Sequence, residues 1–560
     1  MRHVAALLAL ATAPALAQPI AYTVSPQFAD GALVSVAVDV ALIADASGRT
    51  TIDLPDTWGG VAGHARYLSA ISVEGGTIAT VSPTGQVITS PPGAPLVLHY
   101  KVAGAYDHEP VATDSNLYAG IVVRPDWFEG LGQLFLVTPA GRDSAAASVA
   151  WQGWPDGWMK ITSEDKRAAT LDDVINSSFL AGKDVPLRQR PIPGGQLRFA
   201  SHGAFDFSLD AYADQLAATI SAQRRFWGDA QGDYTALLIK LQASPGHYSA
   251  GGTGRNHGFV QYASANVEQA TLFGNIAHEH MHNWIPLQIG ELPEDDAQGA
   301  LYWLSEGFTD FYAARTLLGA GLMTPQQFVA GLNAVLLRLA TSKARSYPND
   351  RIAREFWTDH DVEQLPYDRG HLFAFLLGDA LRRHHKPGLD QVLFAMRDAG
   401  RSTPIGSKPP LRANFLAQMD KIGFAVRPML DRYIERGAPI VLPADLFGAC
   451  ATIRPLGIAR FDLGYDREAT SKAGGVLAGV APDGPAYAAG LRNGMKRLAV
   501  SGGSAGDSRM KLTLTVQDGT VSREISYFPR GKTMVRTQEV VLNPALTPTQ
   551  LAGCAASMAN

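Results

Sequence analysis

The stretch Ile276–Pro286, "IAHEHMHNWIP", places His278, His280 and His282 with Glu279 inside five positions. Two readings compete: a metal site, or a polar helix face rich in histidine. On an α-helix, residues four apart share a face about one turn apart, so the imidazoles of His278 and His282 can point at one ion. Glu279 is offset by about 100° and can hold a water at an open metal position without being a ligand. His280 lies roughly 200° round from His278 and is expected to point away, either to solvent or into packing. A short His-Glu-x-x-His motif recurs by chance in roughly one in a few tens of chains this long, so it needs support from elsewhere.

A catalytic zinc takes three protein ligands and leaves one position open. Downstream, "LYWLSEGFTDFYAARTLL" is an amphipathic helical stretch with Glu306 and, four residues on, Asp310. Glu306 can complete the ligand set. Asp310 can accept a hydrogen bond from the outer nitrogen of one histidine. Each acid alone would be a solvated helix face. Among Trp303, Phe308 and Phe311, however, a buried carboxylate is costly without a cation, and zinc supplies one.

With "HEHMHNW" followed by "WLSEGFTDFY", the chain resembles the gluzincin metallopeptidases, and Trp284 with the Ser-Glu-Gly-Phe-Thr context points to the glycyl-aminopeptidase family among them. The resemblance implies one zinc ion per chain on His278, His282 and Glu306, with Glu279 activating water. It also implies a tyrosine about sixty residues past the glutamate that donates to the oxyanion. Tyr367, in "LPYDRGHLFAFLL", stands there, at the expected start of a helix; a merely capping tyrosine is the alternative. Members of the family carry a Gly-Gly-Leu-Glu-His stretch before the zinc helix, whose glutamate can anchor a substrate amine. Here the equivalent is Gly251, Gly252, Thr253, Gly254 and Arg255, a candidate substrate-binding edge strand or else a plain loop. It lacks the acid, and Arg255 would repel an amine if it pointed into the cleft.

The implied organisation is multidomain α+β. Residues 18–190 read as a β-sandwich-like domain, from alternating segments such as "ALVSVAVDVAL". "GKDVPLRQRPIPGGQ" reads as a connection. Residues 195–440 form the mostly helical, thermolysin-like catalytic domain, with helix starts at Ser208 and at Thr324-Pro325. Residues 450–545 resemble a PDZ domain through Pro485, Ala486, Ala489, Gly490, Leu491, Asn493 and Gly494, with its carboxylate-binding loop near Leu463 and Gly464. That module would take a peptide C-terminus.

Residues 1–17, "MRHVAALLALATAPALA", read as a secretory signal peptide, and no later stretch is long and apolar enough to span a bilayer. The expected location is therefore exported, periplasmic or extracellular. In an oxidising compartment Cys450 and Cys554 can pair and close a long loop; two unpaired buried thiols are the alternative. With a net charge of -4 over 560 residues, nothing argues for nucleic acid or an anionic membrane. The expected function is a zinc-dependent peptidase acting on peptide substrates, with an aminopeptidase on short peptides as one form. An oligo- or endopeptidase without need of a free N-terminus, or a catalytically silent peptide-binding scaffold, are the alternatives.

Overall fold

The computed structural model describes residues 19–559 apart from 60, 113–119, 165–168, 231, 244–248, 256, 294–295, 404–407 and 505. The leader read at residues 1–17 lies outside the described residues. The chain divides into two compact units, one of residues 1–109 and 118–185, the other of residues 110–117 and 186–560.

The first unit is built on sheets. Strands Ile20–Ala29 and Ala32–Ile43 form an antiparallel pair at the centre of a six-stranded sheet, beside two four-stranded ones. Their β-branched alternation drives this, because Tyr22, Val24, Val36, Val38 and Val40 are all buried while the residues between them are not.

The second unit carries the site. Its five-stranded sheet runs, in spatial order, Leu187–Ile192, Gly195–His202, Tyr234–Leu241, Gly258–Ser264 and Ala250–Arg255. The first strand lies within the segment expected to be a connection. Its Pro191 is tolerated because the strand is at the sheet edge, where a missing N–H costs no ladder bond. Ala250–Arg255 forms the opposite edge, antiparallel to Gly258–Ser264. Helix Leu209–Trp227 packs its apolar face on the sheet around Leu197, Phe199 and Phe259, and Ser208 caps it by accepting from the Ala211 N–H at 3.3 Å.

Helices Gln269–Met281, Tyr302–Gly319, Pro325–Thr341 and His360–Arg383 then assemble around a core of Trp284, Trp303, Phe308, Tyr312, Phe328 and Phe373. The Pro325–Thr341 helix has the capping box expected from Thr324 and Gln327. The helix bearing Tyr367 begins at His360, not near Tyr367, and runs through Pro366; Asp359 caps it by accepting from the Asp361 N–H at 3.0 Å.

Past residue 450 a long antiparallel ladder, Ala451–Phe461 with Arg530–Leu542, carries a small three-stranded sheet of Lys496–Gly502, Leu512–Asp518 and Val521–Tyr527. Val476 and Ala478 form isolated bridges to Lys496 and Asp466, and Pro485–Ala488 is a short helix. Cys450 and Cys554 are disulfide-bonded, which ties the final helix, Pro548–Ala559, to the start of the ladder. No helix among the described residues is long and apolar enough to cross a membrane.

Candidate metal centre

His278 lies near the end of the Gln269–Met281 helix, and His282 is the residue just past it, with backbone angles (φ −59°, ψ −19°) that continue the helical turn. Their Nε2 atoms stand 3.1 Å apart. Glu306 enters from the Tyr302–Gly319 helix with Oε2 3.3 Å from His278 Nε2 and 3.4 Å from His282 Nε2. Tetrahedral ligands at about 2.0–2.1 Å from a zinc ion stand roughly 3.3–3.4 Å from one another, so the triangle has the size zinc requires.

The outer contacts fix which nitrogen faces inward. His278 Nδ1 is 2.7 Å from Asp310 Oδ1, and His282 Nδ1 is 2.7 Å from the Ile285 carbonyl oxygen. Both partners only accept, so each Nδ1 donates and each neutral Nε2 presents a lone pair. Ser305 Oγ donates to Glu306 Oε1 at 3.2 Å, leaving Oε2 for the centre. Three lone-pair atoms thus face one another at 3.1–3.4 Å, an arrangement that repels unless a cation lies among them. The electrostatics agree. Burial opposes charge on His278, but the Asp310 and Glu306 carboxylates outweigh it and hold its pKa well above the ordinary histidine value. Burial likewise pushes the Glu306 carboxyl up, yet His282 and His278 hold it far below the ordinary range. The pocket is built for positive charge.

Glu279 stays off the triangle. Its Oε2 accepts the Gly254 N–H at 2.7 Å, which ties the carboxylate to the edge strand. A Cβ at residue 254 would stand 3.1 Å from that same oxygen, so the close approach depends on glycine. Side chains alternate across a strand, so Thr253 and Arg255 project from the opposite face, where Arg255 Nη2 donates to Thr253 Oγ1 at 2.6 Å. A Cβ on Gly252 would stand 2.4 Å from the Phe259 ring, Gly251 pairs with Tyr262, and the Gly254 N–H bonds Glu279.

Tyr367 reaches the centre from the His360–Arg383 helix, its ring stacked on His278 at 6.0 Å between centroids and 27° between planes. Burial, with Glu306, Asp310 and Glu279 behind it, pushes its pKa well above the ordinary tyrosine value, so the phenol keeps its proton. The two helices touch backbone to backbone. A Cβ on Gly307 would stand 2.4 Å from Gly370 Cα, and one on Gly370 would stand 2.0 Å from the Trp303 carbonyl oxygen. This crossing, one residue after Glu306 and three after Tyr367, brings the Glu306 carboxylate and the phenol together. Sequence reasoning missed it, along with Ser305 and the Ile285 carbonyl. Glycine on an otherwise apolar helix face was the signal available at Gly307 and Gly370; a main-chain acceptor leaves none.

His280 turns the other way and is fully buried between Tyr234 and Trp284, with ring centroids 4.8 and 5.2 Å away. Its Nδ1 is 2.6 Å from Gln223 Oε1, and Gln223 Nε2 donates to the Ala277 carbonyl. Burial holds its pKa well below the ordinary value, so it is neutral and structural.

Residues 271–360 match the M61 glycyl aminopeptidase family. The matched segment contains His278, Glu279, His282, Glu306 and Asp310, whereas Tyr367 and the edge strand lie beyond it. No curated protein matches the chain. Among solved structures, the fold is similar to that of an aminopeptidase N family protein from Idiomarina loihiensis. That protein is 16% identical, with 96% of this chain and 100% of that one covered at a TM-score of 0.67. An M1 zinc metallopeptidase from Deinococcus radiodurans is 18% identical over 77% of this chain and 97% of its own, with a TM-score of 0.47. The family match across the metal centre supports a peptidase.

Proposed function

We propose that this chain is an exported, zinc-dependent peptidase of the gluzincin type, hydrolysing short peptides. The observation that carries the reading is the triangle of His278 Nε2, His282 Nε2 and Glu306 Oε2, each held from behind by a hydrogen bond that aims its free electron pair inward. When bound, zinc would polarise the scissile carbonyl and lower the pKa of its water towards about 7. Glu279, beside the triangle and outside it, takes the proton from the attacking water and hands it to the leaving amine. The Tyr367 hydroxyl donates to the oxygen on which negative charge develops, and its raised pKa keeps that proton available at neutral pH. The free edge of Ala250–Arg255 would pair a peptide as an added strand. Export rests on the leader read at residues 1–17, and the module past residue 450 is read as PDZ-like, binding a peptide carboxyl terminus.

A second specificity, oligo- or endopeptidase, is favoured by Gly254. The side-chain direction there faces Glu279, so the residue that could have offered a substrate amine a carboxylate offers only backbone. Turnover of one peptide with a free and with an acetylated N-terminus separates the two readings. The peptidase reading itself is tested by zinc content and by hydrolysis of a peptide library. One zinc per chain with chelator-sensitive cleavage supports it; stoichiometric zinc without cleavage leaves the silent peptide-binding scaffold.

A further inference from the structure

A pocket of about 210 Å³ opens among the helices Gln269–Met281, Tyr302–Gly319, Pro325–Thr341 and His360–Arg383. Asp310, which accepts from the outer nitrogen of His278, forms part of its wall. Ala277 also lines it, and on the helix Ala277 lies about 200° round from Glu279. The pocket therefore sits on the other side of the zinc helix from the Gly254 edge strand. Leu317, Phe328, Leu332 and Val335 make its apolar walls. Glycine keeps the rim low: Gly274 and Gly331 are exposed, and a Cβ built on either would meet no atom within 4 Å.

The polar groups in this space lack partners. Gln327 is engaged in its capping box, which leaves Asp310 and His371. His371 is only 7% exposed, its ring packed on Phe311 and Phe375, and neither ring nitrogen has a hydrogen-bond partner among the described residues. Such a group calls for one from the pocket, because a buried polar atom left unsatisfied is costly. Burial keeps the ring neutral, so one nitrogen offers a lone pair. Asp310 is the single charge lining the pocket among the described residues; its Oδ1 is taken by His278 at 2.7 Å, and its Oδ2 has no hydrogen bond among them. The nearby charges leave room for a cation. Glu306, Glu279 and Asp310 carry three negative charges, a zinc ion in the triangle would bring two positive ones, and Arg338 is paired with Asp368.

We propose that this pocket binds a primary alkylammonium group, its nitrogen held between Asp310 Oδ2 and His371 and its aliphatic chain lying along Leu317, Phe328 and Leu332. An ammonium group has three N–H donors and no acceptor, which matches a carboxylate oxygen and an imidazole lone pair. The space is smaller than the roughly 300–1,000 Å³ of sites for drug-sized ligands, so a short chain fits it. A free amine and the side chain of a peptide lysine share this chemistry. The binding stands on the pocket lining; only the count of charges rests on the metal reading.

Titration calorimetry on full-length, zinc-loaded protein with n-butylamine, 1-butanol and butanoate tests it. Butylamine should bind at one site, about tenfold or more tighter than the alcohol or the acid. Binding should vanish in Gly331→Leu, where a better helix former fills the rim, and weaken about tenfold in His371→Phe, which keeps the ring and removes its nitrogens. Zinc content should be unchanged in both. Nα-acetyl-lysine N-methylamide separates the sources: binding like that of butylamine supports a peptide lysine, and binding of butylamine alone supports a free amine. Equal binding of amine and alcohol, or of amine and acid, would overturn the proposal. So would amine binding that survives Gly331→Leu, since it would then lie at the metal centre. If the wild type takes up no zinc, the metal reading fails while the same titrations still decide the pocket.

Discussion

The two faces of one helical turn use the same residue type for opposite ends. His278 and His280 are two residues apart. His278 faces Asp310 and Glu306, which favour positive charge on it, and its Nε2 points at two other lone-pair atoms. His280 faces Tyr234, Trp284 and Gln223, where burial forbids charge and one amide oxygen fixes the tautomer. The difference lies in the neighbours: a carboxylate behind one ring suits it to hold a cation, and aromatic walls around the other make it packing.

That contrast can be broken or sharpened by substitution. The largest effect is expected for Glu279→Gln, which removes the proposed base and leaves the triangle: kcat should fall by about 10²–10⁴ with zinc content unchanged, measured by steady-state kinetics and metal analysis. Tyr367→Phe should lower kcat by about 10²–10³ with little change in KM, because in the proposed role the phenol acts on the charged oxygen and not on the bound peptide. Asp310→Asn should weaken zinc binding by about 10–100-fold in a competition titration, since the amide can no longer hold His278 as the carboxylate does. On the opposite face, His280→Leu should leave zinc affinity intact and cost about 1–3 kcal/mol in chemical denaturation, because Gln223 loses its partner in the core.

The smallest effect is a pH dependence. Burial holds His371 at about 4, against about 6.5 in an unfolded chain, so between those values the unfolded state carries the extra proton. Stability from this residue is complete above pH 6.5 and is lost as pH falls towards 4. Acidifying from pH 7 to 5.5 should cost about 1.2 kcal/mol, and a His371→Gln variant should show a flatter profile of Tm against pH.

The convergence of His278, His282 and Glu306 was legible because helical spacing turns sequence distance into direction: four residues bring His278 and His282 to one face, and an acid on an apolar helix calls for a cation. Local signals at Ser208, Thr324 and Gln327 were legible for the same reason, each satisfying backbone donors within one turn. What escaped depends on approach between distant segments. The Gly307–Gly370 crossing, the Gly254 bond to Glu279 and the seating of Gly506 on Arg338 come from segments far apart in the chain, and glycine announces the possibility of contact but not the partner. The direction of Arg255 needed the register of the edge strand, and the long Ala451–Phe461 ladder needed a partner strand some eighty residues away.

The most direct test is zinc stoichiometry in three proteins: wild type, Glu306→Gln and His280→Ala, each refolded or purified with excess zinc, desalted and assayed for bound metal. The account predicts about one ion per chain in the wild type and in His280→Ala, and a large loss in Glu306→Gln. Full retention of metal by Glu306→Gln, or its loss from a folded His280→Ala, would contradict the assignment of ligands to one face of the helix.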